Sequence, residues 1–311
     1  MRALAAASAV AMAASPALAD ENPLFFQATV ATQAHPSFHA PYSGMNSLHP
    51  EAESALSVVM DLGARIHPWI GAEIVVQPEL AGGRGLSSTL GVAAYPSGEV
   101  YRIGNPEPAL ILAKLSLRQT AGPVTVTLGK LSTPDLFDNN PVSNDPHTRF
   151  MSWGLWASAA YDYPADVRGA TWGIALDYTH LWWSARAGMF LEPQVANGRA
   201  LERDFTKARG LVGELEARSE RGAVRVLGFL NTAHMGSYAA HRAYLASGGY
   251  GFLIGDGALR YGTEVLAEVF YRAALSEQVS LGVNYQPLFN PAFNRDRGPV
   301  HIFTARAHVA F

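Results

Sequence analysis

The chain has no cysteine, and lysine supplies only three of its 23 Lys and Arg residues. Each scarcity closes something off. Without thiols there is no disulfide scaffold, no cysteine nucleophile and no thiolate-ligated metal. Charged residues make up 16% of the chain, against roughly 25% in ordinary soluble domains. The formal net charge is −3, which gives no electrostatic footprint for nucleic acid. Beyond the first 19 positions no apolar run approaches the ~20 residues that a membrane-spanning helix needs. The cations are nearly all arginines. A planar guanidinium suits fixed, bidentate pairing in narrow polar spaces better than free solvation.

Both ends of the chain carry signals. Met1-Arg2 is a minimal basic segment, Ala3 to Ala14 is apolar, and Ser15-Pro16-Ala17-Leu18-Ala19 offers an A-x-A cleavage site. This predicts an export leader over residues 1–19 and a single domain over 20–311. The other end, "PVHIFTARAHVAF", alternates strictly. Phe303, Ala305, Ala307, Val309 and Phe311 form one face, and Thr304, Arg306 and His308 the other. A strand sends successive side chains to opposite faces. Such a strand suits a soluble sandwich, or an outer-membrane wall with lipid on one side and a wet lumen on the other.

The connections decide between the two. Strand patterns fall near residues 24–34, 55–65, 69–78, 109–120, 124–131, 169–179, 182–191, 210–218, 222–231, 260–272, 277–287 and 300–311. Most run about 9–12 residues, close to what a tilted strand needs to cross a bilayer. The links at 66–68, 121–123, 180–181, 219–221 and 273–276 are short. Those at 35–54, 79–108, 132–168, 192–209, 232–259 and 288–299 are long. Short and long alternate without a break, as in barrels with tight periplasmic turns and long outer loops. The predicted fold is an all-β, antiparallel transmembrane barrel of twelve strands, lodged in a bacterial outer membrane.

The faces agree with this. Lys114, Ser116 and Arg118 alternate with Ala113, Leu115 and Leu117. Glu264, Glu268 and Arg272 alternate with Val265, Ala267, Val269 and Tyr271. Glu214, Glu216 and Arg218 oppose Leu215 and Ala217, and Ser184 and Arg186 oppose Ala185 and Ala187. An arginine facing lipid at mid-depth would cost roughly 2–4 kcal/mol, so the charges are expected inside. Segment 222–231 resists orientation, because Arg225 shares a face with Leu227 and Phe229. Trp69, Trp172, Tyr178, Trp182, Trp183, Tyr261, Tyr271 and Phe303 lie near strand ends, where interfacial girdles sit.

Long stretches carry a family resemblance. They are "QATVATQAHPSFHAPYSGMNSL" (27–48), "GAEIVVQPELAGGRGLSSTLGVAAYPSGE" (71–99), "DLFDNNPVSNDPHTRFMSWGL" (135–155), "DYPADVRGATWG" (162–173), "GFLNTAHMGSY" (228–238), "YLASGGYGFLIGDGALRYGTE" (244–264) and the closing segment from Tyr285. With these the chain resembles the OprB-like carbohydrate-selective porins over nearly all its length. The resemblance implies a closed outer-membrane barrel that admits sugars by passive diffusion. It also implies that the terminal Phe311 is read by the barrel-assembly machinery. The chain departs from the family where "MGSY" (235–238) runs directly into "AAHRAYLASGG" (239–249). Relatives carry a long additional region there, and their barrels resemble 16-stranded porins. A loss of two hairpins at that junction leaves twelve strands, and therefore a narrower pore.

Sugar recognition in a wet pore needs groups that bind pairs of hydroxyls, and rings that take C–H faces. The inward set expected here is Asp61, Arg65, Glu73, Lys114, Arg118, Arg186, Glu214, Arg218, Glu264, Glu268, Arg272 and Arg306. A selective pore also needs a constriction. Loop 79–108 is the first choice, with Arg84, Glu99, Tyr101 and Arg102. Loop 132–168 is its rival, with Arg149, Trp153 and Trp156. The expected partners are small sugars as permeants and outer-membrane lipids. No catalytic residue, cofactor or metal is expected. The glycines of 248–257 lie in a turn-rich link rather than between strand and helix, which argues against a dinucleotide site. His35, His39 and His49 share a loop, but Pro36 and Pro41 forbid the helical zinc spacing. The Asp and Asn residues at 135–145 read as turn-formers before they read as calcium ligands. A barrel hydrolase would need a Ser/His/acid set, and no spacing here selects one. The remaining alternative to a sugar pore is a narrowed or non-conducting structural barrel.

Overall fold

The computed structural model of the chain describes residues 23–44, 46–99, 108–139, 141–157, 160–195, 198–233 and 260–311. The leader expected at 1–19, the junction at 235–249, the glycine run 248–257, and Tyr101 and Arg102 lie outside the described residues.

The strands are β1 (Leu24–His35), β2 (Glu53–Ile66), β3 (Ala72–Gly83), β4 (Ala109–Ala121), β5 (Val124–Leu131), β6 (Thr171–Thr179), β7 (Trp183–Phe190), β8 (Gly210–Ser219), β9 (Gly222–Asn231), β10 (Val265–Leu266), β11 (Val269–Ala274), β12 (Val279–Phe289) and β13 (Val300–Ala310). Each pairs antiparallel with its sequence neighbour from β1 through β9, and β12 with β13. The last strand returns to the first, from Gln27↔Ala310 to Ala34↔Phe303. Such a first-to-last ladder is what a closing wall requires. Among the described residues no ladder joins β9 to β10 or β11, so the described sheet has its two edges there. The short turns and both strand termini share one end, and the long links share the other.

Two prolines shape the departures from the simple pattern. The sequence predicts one strand over 260–272. Here β10 and β11 are separate, both on β12, with Ala267-Glu268 between them. The partner opposite the break is Pro287, which accepts from the Ala267 N–H but has no N–H to return. The thirteen strands of the described residues are thus the twelve expected, with one of them interrupted. Pro78 does something different. Its strand was expected to end at 78, but β3 continues to Gly83. The register against β4 shifts between Gln77↔Lys114 and Pro78↔Leu112, leaving Ala113 as an extra residue. This bulge reverses the alternation. Leu110 and Leu112 therefore face outward, although Lys114, Ser116 and Arg118, with the same parity, face the lumen.

The outer wall is apolar. Leu56, Leu62, Leu128, Ile174, Leu176, Leu215, Val224, Val226, Leu281 and Val283 are all exposed on it. Trp69, Trp172, Tyr178, Trp182, Tyr261, Tyr271 and Phe303 are exposed near the strand ends. Inside, β13 buries Val300, Ile302, Thr304, Arg306 and His308. Segment 222–231 is now oriented. Arg225 opposes Glu216 and Leu227 opposes Glu214, so that face is lumenal.

Deleting Ala113 sets Leu112 next to Lys114, so a regular ladder then holds both on their present faces without a bulge. We expect the deletion to keep the heat-modifiable, folded species on unheated gels. Loss of that species would mean that the bulge itself is required.

Candidate pore lining and its inward loops

The lumenal charges fall into two groups: those that pair along the wall, and those that hold loops. Around the short-turn end Arg186 contacts Asp177 at 2.5 Å, Glu214 at 2.6 Å and Glu216 at 3.4 Å. Glu216 also receives Arg225 at 2.6 Å and Arg218 at 3.5 Å. The Glu214 side chain is almost fully buried. Taking Arg186 away would strand a buried charge, which costs on the order of 3–5 kcal/mol. Elsewhere on the wall Gln27 donates to Asp61 at 2.7 Å, and Arg65 lies 4.4 Å over the Phe25 ring. Glu73 stands opposite Arg118 across the ladder and 3.7 Å from His67. Arg118 and Arg272 are exposed to the lumen.

The second group captures backbone. Arg306 donates to the carbonyls of Pro146 and Arg149, both at 2.7 Å. Gly282, directly opposite, leaves room for that guanidinium: a Cβ there would meet its Nε at 3.2 Å. Glu268 accepts the N–H groups of Met151 at 2.8 Å and Ser152 at 2.9 Å. Loop 132–168 reaches other strands as well. Asp138 donates its N–H to Glu214 at 2.6 Å, Lys114 meets Asp135 at 2.5 Å, and Arg168 meets Glu79 at 3.4 Å. Thr29 bridges His147 and His308 at 3.0 and 2.9 Å. The loop therefore contacts β1, β3, β4, β8 and β13, and it crosses the interior.

Residues 84–99 also fold in. Glu264 was expected on a strand. It stands just before β10 instead, and its carboxylate accepts from Ala93, Ala94 and Ala292. Gln286 donates to the Pro96 carbonyl at 2.8 Å. The two loops then join. Gly98 donates to the Met151 carbonyl at 2.9 Å, and Trp153 donates its N–H to Tyr95 at 3.0 Å. Trp156 packs on Gly98 so closely that a Cβ would lie 2.1 Å from its Nε1.

The sequence treats the loops as rivals for the constriction; in the fold they are one bonded unit. Trp156 is buried, and Trp153 donates its indole N–H to the Tyr163 hydroxyl at 3.1 Å. Both hold loop against loop rather than presenting an open ring face. Glu99 is buried as well. Arg84, expected at the constriction, follows Gly83 on the outward parity. It lines a groove with Thr32, Ser54 and Leu56 on the outer side of the rim. Glu79, Arg168, Asp177 and Gln286 are interior groups that sequence reading missed, whereas His308 lies on the polar face expected for it. Glu79 was legible: it continues the Glu73, Val75, Gln77 alternation past Pro78. Of the turn-forming acids, Asp145 accepts the His147 N–H at 3.0 Å, an Asx turn. Among the described residues no three His, Asp or Glu side chains gather as a metal site.

Beyond the strands, Glu192 is buried, and its Oε1 finds no hydrogen-bond partner among the described residues. Burial first, then the charge of Asp162, pushes its carboxyl up to about 8. Burial also raises Asp162, against the hydrogen bond from Asn231.

The OprB model, the carbohydrate-selective porin family, matches residues 46–251 and 235–311. Among solved structures the chain is similar to the high-pH form of Pseudomonas putida OprB, with 15% identity, a TM-score of 0.66 and 93% of each chain covered. Against the low-pH form of that protein the values are 12%, 0.50 and 92% of each chain. At such identities the likeness is one of fold. No curated protein matches the chain.

Two outcomes test this site. Replacing Arg306 by Met removes two charge-assisted bonds to loop 132–168, each ~1.5–3 kcal/mol. We expect protease cleavage within 141–152 to accelerate at least tenfold while the barrel stays folded. The second outcome concerns pH. A raised carboxyl favours the fold only while protonated. Its contribution is full below the ordinary value of 4.5 and is lost as pH rises towards about 8. The unfolding midpoint should fall across that window, and Glu192→Gln should flatten the decline.

Proposed function

This chain belongs to the OprB family of carbohydrate-selective porins, and we propose that it forms an outer-membrane pore for the passive diffusion of mono- and oligosaccharides. The observation that carries this reading is the two-sided wall: apolar outside, and lined with arginines and carboxylates inside, beside two inward loops. In this reading residues 1–19 are a leader removed on export, and residues 20–311 make one barrel. The family match falls into two pieces that overlap at 235–251. That is the junction where the chain reads as shortened. β9 and β10/β11 run antiparallel, and both turn valines outward: Val224 and Val226 on one, Val265 and Val269 on the other. We take them to close the wall directly, giving twelve strands and a lumen narrower than in 16-stranded relatives.

Sugars would meet Arg65, Glu73, Arg118 and Arg272 at the short-turn end, while Asp61 is buried beneath Gln27. There guanidinium and carboxylate groups can each grip two hydroxyls. Lys114, Glu264, Glu268 and Arg306 shape the path through the loops they hold, and Arg186 does so by fixing Glu214, which accepts the Asp138 N–H. Outer-membrane lipid would meet the aromatic girdle. Phe311 is suited to recognition by the assembly machinery: its ring is exposed, while its backbone exchanges bonds with Phe26 at 3.2 and 2.9 Å. No catalytic role is proposed for any residue.

A second reading has its own support. The two loops bond to each other across the interior, which favours a structural barrel with little flux. Reconstitution in planar bilayers separates the two. Stepwise current reduced by added oligosaccharide supports the pore. Silence from a folded, heat-modifiable protein supports the structural barrel. In the pore, Glu268→Ala should loosen loop 132–168 and raise single-channel conductance or its noise.

A further inference from the structure

We infer that Arg84 and its surroundings form a docking groove for a phosphate-bearing lipid headgroup of the outer leaflet. The proposal rests on the outer-membrane placement given above, with the long links facing outward. The lipid-facing wall is apolar along its middle and turns polar at the rim of the long links, where Thr32 and Ser54 point out. Arg84 lies beside them. Its N–H bonds the Leu56 carbonyl at 3.0 Å, which fixes it opposite Leu56 on the neighbouring strand. Two clefts, of about 420 Å³ and about 540 Å³, meet at this arginine. Its guanidinium is exposed and makes no ion pair among the described residues. Arginine matches phosphate with two parallel N–H bonds.

The rim is built to keep this shape. Ser87, Ser88 and Thr89 all hold positive φ, at 48°, 53° and 64°, which is strained for residues with a Cβ. Glu53 clamps the turn by accepting the Ser87 N–H and hydroxyl, both at 2.7 Å. The His49 N–H donates to the Ser87 hydroxyl at 2.9 Å. Ser88 and His49 thereby border the cleft, together with Glu51 and the Glu53 carboxylate that is taken up by Ser87.

The vertical order of groups selects a lipid over a free anion or a neutral sugar. Ser54 stands highest; Thr32, Leu56 and Arg84 share the next level, and the exposed Val30 lies below them beside Val58, towards mid-membrane. A headgroup phosphate can sit on Arg84 while an acyl chain leaves over Leu56 and runs down across Val30. A free phosphate would use only the upper half of that surface.

The test uses the folded full-length protein in detergent and native mass spectrometry. The probes are lipid A carrying its phosphates, the same lipid dephosphorylated, and inorganic phosphate. We expect phosphorylated lipid A to be retained. Arg84→Ala should weaken retention about tenfold, as the loss of a charge-assisted phosphate contact implies. Arg84→Lys should fall between the two, and Lys207→Ala, the same charge change on an outer loop, should retain lipid as the parent does. Equal retention by Arg84→Ala, equal retention of dephosphorylated lipid, or displacement by inorganic phosphate at the lipid's own concentration would each overturn the proposal. A protein that conducts sugar but retains no lipid refutes this inference alone. One that retains lipid but stays silent in bilayers refutes the pore alone.

Discussion

A sheet in contact with lipid has to satisfy its amides from strand to strand, because hydrocarbon offers no partner. The rest of this molecule depends on that constraint. It lays each strand from β1 to β9 against the next, and here it brings the last strand back to the first over eight residue pairs, from Gln27↔Ala310 to Ala34↔Phe303. Once the ladder is fixed, the faces follow. Alternate residues must be greasy or wet, and an error of one residue reverses them all. The bulge at Ala113 shows how strict the demand is. Pro78 disturbs the ladder, and one extra residue restores leucines to lipid and Lys114 to the lumen.

The same economy governs the interior. Loops inside a barrel carry backbone groups that need partners away from bulk water. This wall supplies them with charged side chains. Glu264 and Glu268 accept N–H groups, and Arg306 donates to carbonyls. Charge–backbone bonds are strong and directional, so these three side chains do much of the holding of two loops. The charges that sequence reading assigned to permeating sugar are thus divided. Some hold the constriction, some hold each other, and Arg118 and Arg272 remain open to the lumen.

Much of this was legible beforehand. Strand positions, the alternation of long and short links, and the lumenal side of Arg186, Glu214 and Arg306 all follow from a two-residue period and the cost of a charge in lipid. Prolines caused the misreadings. Pro78 hid the continuation of β3 and with it Glu79, and Pro287 split β10 from β11. Arg84 was misjudged because a loop was read as a unit, although its first residue still obeys the strand's parity.

The sequence by itself determined most of the wall: where its strands lie, their direction, and which face of most of them meets lipid. These are local properties, repeated every second residue and readable without knowing the neighbours. The tertiary structure alone decided where the loops go. Pro96 reaches Gln286, Pro146 reaches Arg306, and Met151 reaches Glu268, across gaps of more than a hundred residues. No periodicity encodes such pairings, because they exist only once the curved sheet has brought opposite walls within hydrogen-bonding distance.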